Sequence, residues 1–293
     1  MLSGVYVIGL SIDGVTAAPY RIVATGATVG AQTAISVTEG ASVEIRGVSV
    51  SASQQAVSCS SSTAAVSKLT IRDSMLSVAS TNANLVAADN NCNLTLSGTE
   101  LDIGASSGGG LILTSNATVT VDRCHMRGTS SPFSLGVIGS RASLTVTTSV
   151  LENIDPVWIP SDTTTPGSAV LMGFNTIHMD EIPWNCRPIS NVYWKARYDN
   201  NIFVGSRVAS AVEGTDCTLA NNVLHPYTSA AGTNTVADPQ FVDEAARNYR
   251  LKSTSPAIDI AVPTAGLLSS VDFDGTARPQ GAQIDVGAFE FKP

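Results

Sequence analysis

The stretch "NNCNLTLSGTELDI", residues 90–103, sets an asparagine-rich lead before a short alternating run, a small-residue corner and further apolar positions. Leu94 and Leu96 alternate with Thr95 and Ser97, so in an extended chain the leucines face one side and the hydroxyls the other. Thr99 makes the corner, and Leu101 returns to the apolar side five residues after Leu96. The same figure recurs as "VEIRGVSV" from Val43, "LTIRDSML" from Leu69, "VTVDRCHM" from Val119 and "LTVTTSVL" from Leu144. Looser copies follow as "VLMGFNTI" from Val170, "ARYDNNIF" from Ala196 and "TLANNVL" from Thr218.

Aligned, these runs give a first apolar column of Ile45, Ile71, Leu96, Val121, Val146, Met172, Tyr198 and Leu219, at intervals of 26, 25, 25, 25, 26, 26 and 21 residues. A second column stands five residues on: Val50, Leu76, Leu101, Met126, Leu151, Ile177, Phe203 and Leu224. A period near 25 with strand-like alternation and no helical pattern between copies predicts a solenoid of β-coils. Leucine-rich repeats have similar length, but their fixed Leu and Asn consensus is absent. Between the columns the corner residue drifts from Val48 through Ser74, Thr99, Cys124 and Ser149 to Asn175, Asn201 and Asn222. A tight interior bend selects such short side chains, because they bond the neighbouring coil's backbone without filling the core. The three asparagines are therefore expected to form a structural ladder.

The C-terminal segments "ADPQFVD" (237–243), "YRLKSTSPAIDIA" (249–261), "DFDGTARP" (272–279) and "QIDVGAFE" (283–290) break the period. With the repeat over 43–224, they make the chain resemble secreted right-handed parallel β-helix proteins, the broad family of pectate-lyase-like folds, and in particular bacterial surface or secreted members with similar terminal coils. The resemblance implies an all-β, right-handed single-stranded parallel β-helix. Coils are expected over 1–236, with terminal coils and a C-terminal cap over 237–293 in the same domain. It also implies an extracellular or cell-surface location and a polysaccharide or cell-surface glycan as partner. It does not fix the chemistry: a carbohydrate-contacting or structural, adhesive role stands beside a polysaccharide lyase acting on an acidic glycan and a glycoside hydrolase.

Composition agrees with a soluble, packed chain, with 43% hydrophobic residues but only 14% charged. The net charge of -8 and the lack of a basic cluster disfavour a nucleic-acid partner. No run approaches the roughly 18 apolar residues of a membrane span. The N-terminal "MLSGVYVIGLSIDG" lacks the parts of a signal peptide and reads as a truncated or processed start, although a cytoplasmic start has the same appearance. Val7 and Ile12 repeat the five-residue spacing, yet 38 residues separate Val7 from Ile45, so one coil carries an excursion or an extra partial coil intervenes. An open solenoid end exposes strand edge and core, which suggests an upstream domain or partner chain over the N-terminal coil.

Irregular loops are where chemistry is expected. Trp158, Trp184 and Trp194 fall within 37 residues and beside acids, the arrangement that stacks a sugar's apolar face and hydrogen-bonds its hydroxyls. Parity with Tyr198 turns Trp194 and Ala196 inward and Lys195, Arg197 and Asp199 outward, leaving Trp158, Trp184, Asp162 and Asp199 as candidate substrate-binding residues. A lyase needs a group to neutralise a uronate carboxylate and a base for the adjacent proton, for which Lys195 or Arg197 serve with Asp180 or Glu181. A hydrolase needs two carboxylates, drawn from Asp155, Asp162, Asp180, Glu181 and Asp199. A merely solvated rim is the competing reading.

His125, His178 and His225 do not share one coil column, which counts against a three-histidine metal site. The motifs assign no cofactor beyond a calcium alternative in the tail. Asp272 and Asp274 flank Arg278 across Gly275, reading as a carboxylate–guanidinium network or, with Asp285 and Glu290, as a calcium loop. The outward Thr70, Thr95, Thr120 and Thr145 form a threonine row that favours strands and also offers a binding face. Its Arg72 and Asp122 neighbours count against an ordered-water plane. Among five cysteines, the coil spacing pairs Cys59 with Cys92 and Cys186 with Cys217, leaving Cys124 as a buried corner thiol; five free cysteines are the alternative.

Overall fold

The computed structural model describes the chain except residues 1, 4–5, 8, 15–18, 80–82, 105–109, 129–132, 140, 161–167, 180–193, 211–216, 230–231 and 268. Over 2–3, 6–7, 24–28, 30–31, 133–138, 155–160, 194–195, 206–210, 217 and 227–229 it describes the backbone alone. The described residues form a parallel β-solenoid with a coil period of about 25 residues. Each regular coil contributes a strand to each of three faces, as in Ser67–Arg72, Met75–Val78 and Asn84–Ala88.

Both sequence columns are in register. On the first sheet Ile45 aligns with Ile71, Leu96, Val121, Val146, Met172, Tyr198 and Leu219. On the second, Val50 aligns with Leu76, Leu101, Met126, Leu151, Ile177, Phe203 and Leu224. All these side chains belong to one buried core, because alternation sends every second residue of each strand inward. The coil at Tyr20–Thr38 resolves the N-terminal ambiguity in favour of an extra coil. Ile22 aligns with Ile45 and Val29 with Val50, but a register shift between Val23 and Ala27 lengthens the spacing and hides the repeat. Val7 joins the second column through Val29, whereas Ile12 lies on the third sheet against Val37, so these two are not a five-residue pair like the others.

The turn from first to second sheet takes one residue in the left-handed region. Gly47, Asp73, Gly98, Arg123, Thr148, Phe174, Asn200 and Asn221 all have φ between 47 and 74°. That conformation is unfavourable for Thr148 and Phe174, and the bonds of the following corner residue hold it. The Asn175 amide N–H donates to Asn201 Oδ1 (3.0 Å), and the Asn201 N–H to Asn222 Oδ1 (2.8 Å). The Asn222 N–H donates in turn to Asn234 Oδ1 (3.0 Å), adding a rung beyond those read from the repeat. Ser149 and Ser74 accept equivalent bonds from Cys124 and Val48.

Cys59 and Cys92 are disulfide-bonded at the corner between third and first sheets, 33 residues apart. Closing a loop of that length contributes about 3–4 kcal/mol on the chain-entropy account. Cys124 is a buried free thiol, its pKa pushed up to about 12 by burial; it stays protonated and weakly nucleophilic at neutral pH. Cys186 and Cys217 lie outside the described side chains.

The C-terminal tail does not add parallel rungs. Phe241–Asp243 pairs antiparallel with Asn248–Leu251, and the tail packs on the outward side of the second sheet. There Val150, Phe174, Ile202, Val204 and Val223 meet Phe241, Tyr249, Leu251, Val286 and Phe289. The sequence marks this contact: the outward column runs Met75, Glu100 and His125, then Val150, Thr176, Ile202 and Val223, turning largely apolar where the tail lies.

Candidate functional site

Alternation within the second sheet sends Arg127, Glu152 and His178 outward, and parallel register stacks them on successive coils. His125 lies two residues before Arg127 on the same face. Against this column the turn between the tail's two strands delivers Glu244 and Arg247, and the second of those strands delivers Tyr249. Glu152 is nearly inaccessible, at 4% exposure. Its Oε1 accepts the Tyr249 hydroxyl at 2.9 Å and its Oε2 the Arg247 Nη1 at 3.2 Å. His125 Nε2 stands 3.3 Å and Arg127 Nε 3.7 Å from the same Oε2. Beside them His178 Nε2 lies 2.9 Å from Glu244 Oε1, and its ring packs on Tyr249 at 5.6 Å.

Burial alone would raise the Glu152 pKa, but the hydrogen bond and charge of His125, the Tyr249 hydroxyl and the Arg247 charge outweigh it and hold the carboxyl below its ordinary range. Burial, then the neighbouring Glu152 charge, raises Tyr249, which stays protonated as a donor. Glu152 is therefore an ionised, donor-saturated group that fastens tail to coil, not a free base. A depressed folded pKa stabilises above the unfolded glutamate value and loses that contribution as pH falls through the folded one. Glu152→Gln should accordingly melt below wild type at pH 7, with the gap narrowing as the pH drops below about 4. A gap constant from pH 7 to pH 3 in thermal melts would remove this role.

Between tail and coils lies a cleft of about 470 Å³ lined by Glu152, Asn153, His178, Glu244, Ala245, Arg247 and Tyr249. Asn153 Oδ1 is buried without a hydrogen-bond partner, an acceptor left for an incoming donor. Arg247 and Glu244 retain exposed edges, at 59% and 47% of their side chains. The lining thus combines donors, acceptors and an imidazole ring, a set suited to hydroxylated ligands.

The residues singled out by sequence are distributed differently. Trp184, Asp162, Asp180 and Glu181 lie outside the described residues, and the side chains of Asp155, Trp158, Trp194 and Lys195 outside the described side chains. Arg197 and Asp199 are outward as parity required, but Asp199 is fully buried beneath the tail, its Oδ2 2.6 Å from Arg197 Nη2 and 2.9 Å from Thr264 Oγ1. Asp199 is thus a tail contact and not an open substrate-binding side chain.

The tail acids are wired otherwise than their spacing suggested. Asp274 takes a bidentate pair from Arg250 at 2.7 and 2.7 Å, while buried Arg278 donates to the Asp285 and Gly287 carbonyls and lies 3.7 Å from Glu290. Asp272 accepts the backbone N–H groups of Thr276 and Glu290, and Asp285 those of Asp259 and Phe291. With their oxygens so engaged, these carboxylates do not fit a calcium loop, and among the described residues no group of three or more His, Cys, Asp or Glu is placed to hold a metal.

The three histidines do not share one column, as read, because His125 aligns with Glu100 and Val150, but one equivalence among them went unread. His178 and His225 share one column two coils apart, through Val204; both stand six residues after their first-column residue, an equivalence visible in the repeat. The Glu152 cluster lacked such a signal, because Arg247 and Tyr249 lie 95 and 97 residues away.

No family model matches the chain, and no curated protein matches it in sequence. Its fold is similar to the crystal structure of pectate lyase Pel9A, with a TM-score of 0.53 and 16% identity over 98% of this chain and 85% of that one. The likeness shows a pectate-lyase-like parallel β-helix.

Proposed function

We propose that this β-helix protein contacts carbohydrate at the extracellular face of a cell or beyond it, using the cleft between coils and tail. The observation that carries the reading is the convergence of Asn153, His178, Glu244 and Arg247 on one cleft whose buried Asn153 Oδ1 lacks a donor. Sugar hydroxyls both donate and accept, so a single pyranose can serve an amide oxygen, a carboxylate and a guanidinium together. The disulfide suits an oxidising compartment.

The likeness to a pectate lyase supports a second reading, elimination on an acidic glycan, with Asp180, Glu181, Lys195 and Arg197 as its candidates and Trp158, Trp184 and Asp162 as contacts. A panel of acidic and neutral polysaccharides separates the two. Binding should weaken about tenfold or more in His178→Ala and Arg247→Ala, as expected for removal of hydrogen bonds to polar or charged groups, with an unchanged circular-dichroism spectrum. Unsaturated products absorbing in the ultraviolet, lost in Lys195→Ala, would put the lyase reading first. Unchanged binding in both cleft variants would remove this cleft from the function.

A further inference from the structure

The cleft between second sheet and tail discriminates by more than hydroxyl groups. We infer that it selects an N-acetylated hexosamine, whose acetamido group is held by Asn153, Arg247 and Ala245, an assignment that rests on the reading of this cleft as a carbohydrate site.

Asn153 makes the first contact. It turns the chain out of the second sheet at φ 54°, at the place where the two preceding coils carry Gly104 and Gly128. Glycine and asparagine both tolerate this left-handed backbone, but only asparagine brings an amide. Its backbone N–H donates to the His178 carbonyl at 2.8 Å, and a Cβ on Gly128 would lie 2.7 Å from its carbonyl oxygen, so the corner is fixed between two coils. The side-chain Oδ1 is buried with no hydrogen-bond partner among the described residues. It can accept one N–H or O–H from a ligand.

The tail turn supplies the other two contacts. Arg247 reaches Glu152 through Nη1 at 3.2 Å, yet 59% of its side chain is exposed, which leaves N–H groups for a carbonyl oxygen. Ala245 adds a methyl to the lining. An acetamido group carries the complement of all three in one planar unit: an N–H for Asn153, a carbonyl for Arg247 and a methyl for Ala245. A sugar hydroxyl satisfies either polar contact but brings no methyl.

Charge narrows the choice further. Two carboxylates, Glu152 and Glu244, stand with two guanidiniums, Arg127 and Arg247. Neither the carboxylate of a uronate nor the ammonium of a free hexosamine therefore gains from a net field, and a neutral substituent is favoured. The cleft volume of about 470 Å³ lies within the range of small-molecule pockets and holds one sugar with its substituent.

The test is a saturation-transfer NMR titration of the full chain with methyl β-glycosides that share a ring and differ in one substituent: N-acetylglucosamine, glucosamine, glucose and glucuronate, and the matching galacto series. One N-acetyl sugar should bind about tenfold or more tighter than its parent hexose, for a hydrogen bond and a methyl gained together, and its acetyl methyl should receive the strongest saturation. Asn153→Gly keeps the left-handed turn and removes the amide; it should weaken that binding about fivefold to tenfold. Ala245→Glu, on the exposed turn, should lower the acetyl-methyl saturation and the affinity with unchanged melting. Parent hexose or uronate binding as tightly as the N-acetyl sugar, and weakened in His178→Ala, overturns the acetamido assignment while the carbohydrate cleft stands. Absence of binding by every sugar in both series overturns both. Wild-type affinity for the N-acetyl sugar in both Asn153→Gly and Ala245→Glu also overturns the assignment.

Discussion

Asn201→Ala should destabilise the fold by about 3–5 kcal/mol. The side chain is fully buried. Its Oδ1 accepts both the Asn175 N–H (3.0 Å) and Asn175 Nδ2 (2.9 Å), and its Nδ2 donates to the Met172 carbonyl at 3.0 Å and to Asn222 Oδ1 at 3.1 Å. Alanine would strand the Asn175 amide and remove the side-chain donor to Met172, both buried, at about 1–3 kcal/mol for each unsatisfied group. The left-handed Asn200 would also lose the bonds that hold its bend. Denaturant unfolding measures the loss; a cost below about 1 kcal/mol would mean that the ladder is solvated or dispensable.

Leu96→Ala is expected to cost about 2–5 kcal/mol. Leu96 is 0% exposed and stacked between Ile71 and Val121, whose strands cannot close on a cavity without breaking ladders on both sides. Thr95→Ala, one residue away on the outer face, should cost under about 1 kcal/mol, in the range of β-propensity changes. Equal costs for the two in the same unfolding experiment would contradict the inward and outward assignment on which the fold rests.

How much of this molecule was legible beforehand follows from its geometry. In a solenoid each residue's neighbour is its equivalent one period away, so the alignment of repeats is already a contact map. That is why Ile71, Leu96, Val121 and Val146 stack as aligned and why the Asn175, Asn201 and Asn222 side chains form the ladder; Cys59, whose equivalent one coil on is Ala88, instead meets Cys92 across the corner that follows. The same logic failed over Tyr20–Thr38, where a register shift displaced Val29 from the five-residue spacing.

Beyond Asn234 the chain leaves the period, and spacing no longer reports proximity. Nothing local in "EAARNYR" marks Arg247 and Tyr249 as partners of Glu152, and Asp272, Asp274 and Arg278 lie close in sequence yet bond largely elsewhere. The sequence by itself determined the coil, its core and its ladder, because those contacts repeat with the chain. Only the tertiary structure decided where the tail docks, which acids it covers and which clefts it walls, because burial of Val150, Ile202 and Val223 against an aperiodic segment depends on shape in three dimensions.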